Sequence, residues 1–267
     1  MWKALALAAF AGLAALPLRA GSPEEAVSID VLPGWRLADG RHVAGIRIRL
    51  APGWKTYWRA PGDAGIPPSF DWRGSRNLGA VQVGWPTPHV FEQNGMRSIG
   101  YKGEVVWPVV IEPRRKGQPV RLEGHLDLGV CSDICMPHEV QLSAELPAGT
   151  TRPDPVIAAA MADEPFSSRE AGVTQVSCAL APAPEGVAVT ATIRMPSAGG
   201  PEAAVIEAGN PMIWVSDPQV ARSGDALTAT AVMSHVEGKP MAIDREALRI
   251  TVLGSSYAVD IKGCPAG

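Results

Sequence analysis

Beyond its N-terminus this 267-residue sequence has no apolar run of the roughly twenty residues that a bilayer span requires. It has no basic excess: a net charge of -3 and a pI near 6.0 argue against a nucleic-acid partner, which calls for a basic stripe. No glycine-rich loop follows a strand pattern, so a phosphate cradle is not indicated. No block of like charge marks a disordered tail. No Ser/His/Asp arrangement or carboxylate pair is visible by spacing, which argues against hydrolytic chemistry. Helical runs are scarce, and four cysteines are all the thiols there are. The 25 prolines and 28 glycines instead favour short strands joined by turns.

What is present begins with a leader. Lys3 precedes an apolar run from Ala4 to Leu18, and Arg19-Ala20-Gly21-Ser22 provides a small-residue exit. That is the pattern of a secretory signal peptide over residues 1–20, cleaved after Ala20. The run is shorter than a membrane anchor needs, and no cysteine near the exit offers a site for lipid attachment. The mature chain, about 245 residues and enough for one large or two ordinary domains, is expected outside the cytoplasm, where disulfides persist.

Two stretches alternate cleanly around Cys131-Ser132-Asp133-Ile134-Cys135-Met136-Pro137-His138-Glu139. Val120, Leu122, Leu126, Leu128 and Val130 share one face against Arg121, Glu123, His125 and Asp127. Val140, Leu142, Ala144 and Leu146 repeat the pattern, so both runs read as half-buried strands. The cysteines then sit at or near a hairpin tip, and parity puts Cys131 on the polar, solvent-facing side. Further strands are expected over Val43–Leu50, Trp54–Trp58, Ser69–Trp72, Val81–Gly84 and Val105–Ile111. The aromatic segment Gly53–Arg59 reads as core. His42, His89 and His235 read as surface residues, as does His125.

After Pro147 the texture changes. Asp154-Pro155 opens a short helix to about Asp163, with Asp as N-cap and Pro at the first position. Alternating patterns return from Val173 through Val187–Ile193, Leu227–Met233 and Tyr257–Ile261. The fold class is therefore all-β: two immunoglobulin-like β-sandwiches, residues 24–148 and 173–264, joined by a short helical linker over 149–172. Cys178 lies in phase with Val176 and Leu180 on a buried face, and Cys264 follows the last strand. Bridged, they form a structural disulfide across the second sandwich; a second redox pair is the alternative.

For Cys131 and Cys135 the weighting reverses. A bridge over so short a loop removes little unfolded-chain entropy. Three readings follow: electron exchange, a soft metal site, and plain scaffolding. Exchange needs no cofactor and is helped by the tight turn, by a sulfur near solvent, and by His138, whose imidazolium would favour a Cys135 thiolate. The metal alternative uses Cys131, Cys135, Met136 and His138 for Cu(I).

The string Cys131-x-Asp133, Cys135, Met136-Pro137-x-Glu139 between two strands resembles the N-terminal periplasmic domain of the DsbD thiol:disulfide interchange family. Gly53–Trp58, Pro67–Trp72 and Gly100–Gly103 look like forms found in divergent relatives. The resemblance covers about residues 24–148 and implies an immunoglobulin-like sandwich with Cys131 and Cys135 as its catalytic pair. It makes Cys135 the attacking thiol and Cys131 the resolving one; Asp133, Pro137 and Glu139 in the matched string, with His138 beside Cys135, are the candidate tuning residues. Phe91 and Glu92 in Phe91-Glu92-Gln93-Asn94 stand where the family has a shielding cap. It further implies a membrane-embedded thiol–disulfide module as electron donor, and periplasmic thioredoxin-fold or cytochrome c maturation proteins as acceptors. The three-residue spacer is shorter than in better-known members. The sequence to Gly267 contains neither a membrane span nor a thioredoxin domain, so the donor is expected to be a separate protein. A link of the second sandwich to copper-tolerance relatives has no motif behind it.

Overall fold

The computed structural model describes residues 26–63, 65–93 and 95–267, so the expected leader and Asn94 lie outside the described residues. Ten strands make the first half: β1 (Val27–Arg36), β2 (His42–Leu50), β3 (Lys55–Tyr57), β4 (Ser69–Asp71), β5 (Leu78–Val83), β6 (His89–Gln93), β7 (Met96–Lys102), β8 (Glu104–Pro113), β9 (Val120–Cys131) and β10 (Cys135–Leu146). One sheet runs β1-β2-β8-β5; the other runs β10-β9-β3-β7-β6, with β4 also on β9. Their inner faces close on Ile46, Ile48, Trp58, Trp107, Leu122, Leu126 and Leu128, all buried.

The helix α1 (Pro155–Ala162) follows. The Asp154 carboxylate accepts from the Val156 and Ile157 amides at 2.8 and 3.2 Å, the cap expected of it. The helix docks on the outside of the first sandwich through Ile157, which is buried with Trp35, Val43 and Val106. Gly45 makes the docking possible: a Cβ there would stand 2.9 Å from Ile157 Cγ1. Strand β2 is therefore covered on both faces. His42, expected at the surface, is buried on the inner one, in step with Ala44, Ile46 and Ile48. The His42 ring donates from Nε2 to the Pro33 carbonyl at 2.6 Å, and burial lowers its pKa, keeping it neutral.

The second half holds β11 (Phe166–Ser167), β12 (Gln175–Ala183), β13 (Gly186–Arg194), β14 (Ala203–Glu207), β15 (Ile213–Val215), β16 (Gln219–Ser223), β17 (Ala226–His235), β18 (Arg249–Leu253) and β19 (Ala258–Lys262). They form two sheets, β11-β19-β18-β14 and β12-β13-β17-β15, with β16 also on β17. Cys178 on β12 is bonded to Cys264 just past β19, so the bridge joins the two sheets, and both residues are buried. Cys178 and Cys264 are the two cysteines that the sequence analysis pairs.

The halves are in contact. Ala203, Val205, Leu253 and Ala258 belong to the same buried cluster as Trp58, Ile99 and Tyr101. The Arg59 guanidinium stacks on Trp58, 3.7 Å from the ring centroid, and donates to both Glu207 oxygens at 3.1 and 2.9 Å.

Candidate active site

The β9–β10 hairpin is in register from Leu146 opposite Val120 up to Cys135 opposite Cys131. Ser132-Asp133-Ile134 is the connection, so the cysteines are the last ladder pair of a hairpin, as their setting between two alternating runs predicts. The two sulfurs are bonded. Direct partners in a ladder project to the same face, so both sulfurs lie on the outer face of their sheet.

That face is covered at this end. Cys131, expected at the solvent side, is only 2% exposed, whereas Cys135 is exposed. The reason lies in β3. Lys55 stands opposite Cys131 and Thr56 opposite Val130, which puts Lys55 and Tyr57 on the sulfur face. Thr56 and Trp58 point inward and are fully buried. The segment Gly53–Arg59 is thus core on alternate residues and active-site wall on the others. The Tyr57 ring lies over Gly129, where a Cβ would stand 2.9 Å from its Cδ2, and under Gly65, where a Cβ would be 2.8 Å from its Cδ1. Glycine at both positions lets the ring fit between β9 and the 61–67 loop.

The Tyr57 hydroxyl reaches both sulfurs, 2.9 Å from Cys131 Sγ and 3.1 Å from Cys135 Sγ. Disulfide sulfurs carry no proton, so the hydroxyl donates. Burial raises its pKa above the ordinary tyrosine value, which keeps that proton in place at neutral pH. Tyr57 was missed in the sequence because its strand pairing has no local signal; the in–out alternation of Thr56, Tyr57 and Trp58 was the one clue.

The remaining candidates separate by face. Met136 packs on the sandwich core, and His138 stands opposite Leu128, a core residue. Both project from β10 away from the sulfurs. The set Cys131, Cys135, Met136 and His138 does not converge, and His138 is not positioned beside Cys135. Among the described residues no three His, Cys, Asp or Glu side chains are grouped to hold a metal ion. Glu139 does share the sulfur face, and its Oε1 lies 3.1 Å from His125 Nδ1. Pro137 is exposed on the edge strand opposite Gly129, and Asp133 is exposed at the tip beside Ile134, 71% exposed.

Phe91 and Glu92 lie on β6, two strands beyond β3. Lys55 Nζ sits 5.2 Å from the Phe91 ring centroid and donates to Ser98 Oγ at 3.1 Å. Burial lowers the Lys55 pKa. A groove of about 1040 Å³ runs between Val90-Phe91-Glu92 on one side and Ser132-Asp133 on the other, floored by residues 50–55. Phe91 therefore walls the approach to the disulfide loop.

These features define a class: a β-sandwich bearing a cysteine pair at a hairpin tip, one cysteine buried and the other exposed, with a groove beside the connection between them. Residues 22–147 match the family described as thiol:disulfide interchange protein DsbD, N-terminal. No curated protein matches the chain. The N-terminal periplasmic domain of ScsB from Proteus mirabilis is similar in fold, with a TM-score of 0.70 at 22% identity, covering 92% of this chain and 97% of that one. The reduced N-terminal domain of DsbD from Neisseria meningitidis aligns at 21% identity over 51% of this chain and 96% of its own, with a TM-score of 0.31. Among the described residues no helix is long and apolar enough to cross a membrane.

Proposed function

We propose that the chain is a periplasmic dithiol–disulfide electron carrier in which Cys135 is the nucleophile and Cys131 the resolving thiol. The observation that carries the reading is the asymmetry of the pair: Cys135 is open to solvent and Cys131 is covered by Tyr57. An incoming thiolate attacks Cys135 Sγ, and the Cys131–Cys135 bond breaks with its electron pair going to Cys131. The Tyr57 O–H stabilises the leaving thiolate. A second thiolate of the donor attacks the mixed disulfide and frees Cys135; the donor leaves oxidised and the carrier holds two electrons. In the onward step the Cys135 thiolate attacks the acceptor's disulfide, and Cys131 closes the ring again.

The donor in this reading is a separate membrane thiol–disulfide module. The acceptor is a periplasmic thioredoxin-fold or cytochrome c maturation protein. The working division of the chain is a cleaved leader over residues 1–20, the exchange domain over 24–148, a connector over 149–172 and an accessory sandwich over 173–264. The test is a redox titration. Structural disulfides lie below about -300 mV; a Cys131–Cys135 potential clearly above that is expected, and one well below it would sink the carrier reading.

Tyr57→Phe removes the donor while keeping the ring. Hydrogen bonds to charged groups contribute about 1.5–3 kcal/mol. Reduction of the disulfide by a small dithiol, followed by stopped-flow at constant pH, should slow by about ten- to a hundredfold. An unchanged rate would remove Tyr57 from the mechanism.

A further inference from the structure

One side chain joins the groove wall to the second sandwich. Arg97 on β7 stands opposite Glu92 on β6, and its Nε donates to Glu92 Oε1 at 2.9 Å. Its Nη1 donates to Asp217 Oδ1 at 3.0 Å, on the turn between β15 and β16. Both ends of this tie are held. Ser216 donates its amide to the Val232 carbonyl, and its hydroxyl oxygen accepts from the Val232 amide, each at 2.9 Å. On the other side Ile99 donates to the Pro61 carbonyl at 2.9 Å. Gly62, at φ 79°, passes so close that a Cβ there would lie 2.9 Å from the Arg97 carbonyl oxygen.

We propose that the second sandwich holds the β6–β7 hairpin, and with it Phe91, against the disulfide groove, with Arg97 as the positioning residue. A guanidinium can serve two carboxylates in fixed directions at once, which a lysine ammonium on a flexible stem does not reproduce. The ion pair is partly exposed, with side-chain exposures of 28% for Arg97 and 35% for Asp217, so its effect on stability is small and its effect is on position. Phe91 adjoins Glu92 and lines the groove facing Ser132 and Asp133. Loosening Arg97 therefore frees Phe91 and widens the groove beside Ser132 and Asp133, the connection that carries the two cysteines, without touching either sulfur. This role rests on the carrier reading for its purpose, but dithiothreitol reduces the disulfide whether or not the chain meets a partner.

The experiment compares the rate of reduction by dithiothreitol in the oxidised full chain, in Arg97→Ala, in Asp217→Asn and in the double variant. Each single change should raise the rate about three- to tenfold, the range of coupled pairs, and the double change should add nothing further. The potential of the pair should stay where it is. Amide exchange in β6 and β7 should rise in Asp217→Asn, a turn substitution that spares the fold. Wild-type rates and wild-type amide protection in Asp217→Asn would overturn the proposal, as would a rate change that follows a shifted potential. A low potential in the unaltered chain defeats the carrier reading alone and leaves the comparison of rates intact.

Discussion

Cys131→Ser should leave a chain that is captured by its acceptor and not released. The substitution removes the buried sulfur and keeps Cys135, which is exposed at the first position of β10. Attack by Cys135 on an acceptor disulfide forms a bond between the two proteins and expels one acceptor thiolate. The group that would break this bond is Cys131 Sγ, held opposite Cys135 in the ladder. With serine there, the adduct persists until an external thiol opens it. A reductant-sensitive band whose mass equals both partners should accumulate on non-reducing gels. Cys135→Ser should give none, because Cys131 lies under Tyr57. The reverse pattern would assign the attack to Cys131, and no adduct in either variant would remove exchange from consideration.

The second large effect lies at the other bridge. Cys178 and Cys264 are 86 positions apart, and closing a loop of that size contributes about 4–5 kcal/mol in the chain-entropy account. In a sandwich of ordinary size the loss should lower the melting temperature on the order of 20 °C. The paired change Cys178→Ala and Cys264→Ala, followed by calorimetry, checks this. A drop of only a few degrees would mean that packing between the sheets, not the bridge, holds them together. Mild dithiothreitol should open Cys131–Cys135 first, since Cys178 and Cys264 are both 1% exposed.

Which parts of the molecule were legible follows from where their signals lie. The β9–β10 hairpin was readable because Val120–Val130 and Val140–Leu146 alternate on either side of the tip. Helix α1 was readable from Asp154-Pro155, and the Cys178–Cys264 pairing from the phase of Cys178. Strand β1 was not, since Pro33 and Gly34 interrupt it and its register shifts between Leu32 and Trp35. Strands β6 and β7 offer little apolar alternation to mark them, and β7 lies inside its sheet between β3 and β6. The site was half readable. The hairpin tip followed from the two alternating runs, whereas Phe91 was pointed to by the family resemblance and by no pattern of its own. The burial of Cys131 followed from neither, because Tyr57 comes to it from 74 positions away and depends on glycine at 65 and 129. His42 was misplaced because β2 begins one residue before the expected Val43, which puts His42 in step with Ala44, Ile46 and Ile48 on the core face.

Pro137 has a consequence for how any protein can meet this hairpin. Strand β10 is the edge of its sheet, and its backbone would be open to extension by a strand from another molecule. Proline has no N–H, so that row of donors is interrupted two positions from Cys135. Neither a partner nor a second copy can lengthen the sheet past the disulfide by continuous main-chain pairing. Approach to Cys135 is left to side-chain contacts around Ile134, which suits a brief encounter and disfavours stacking of chains edge to edge.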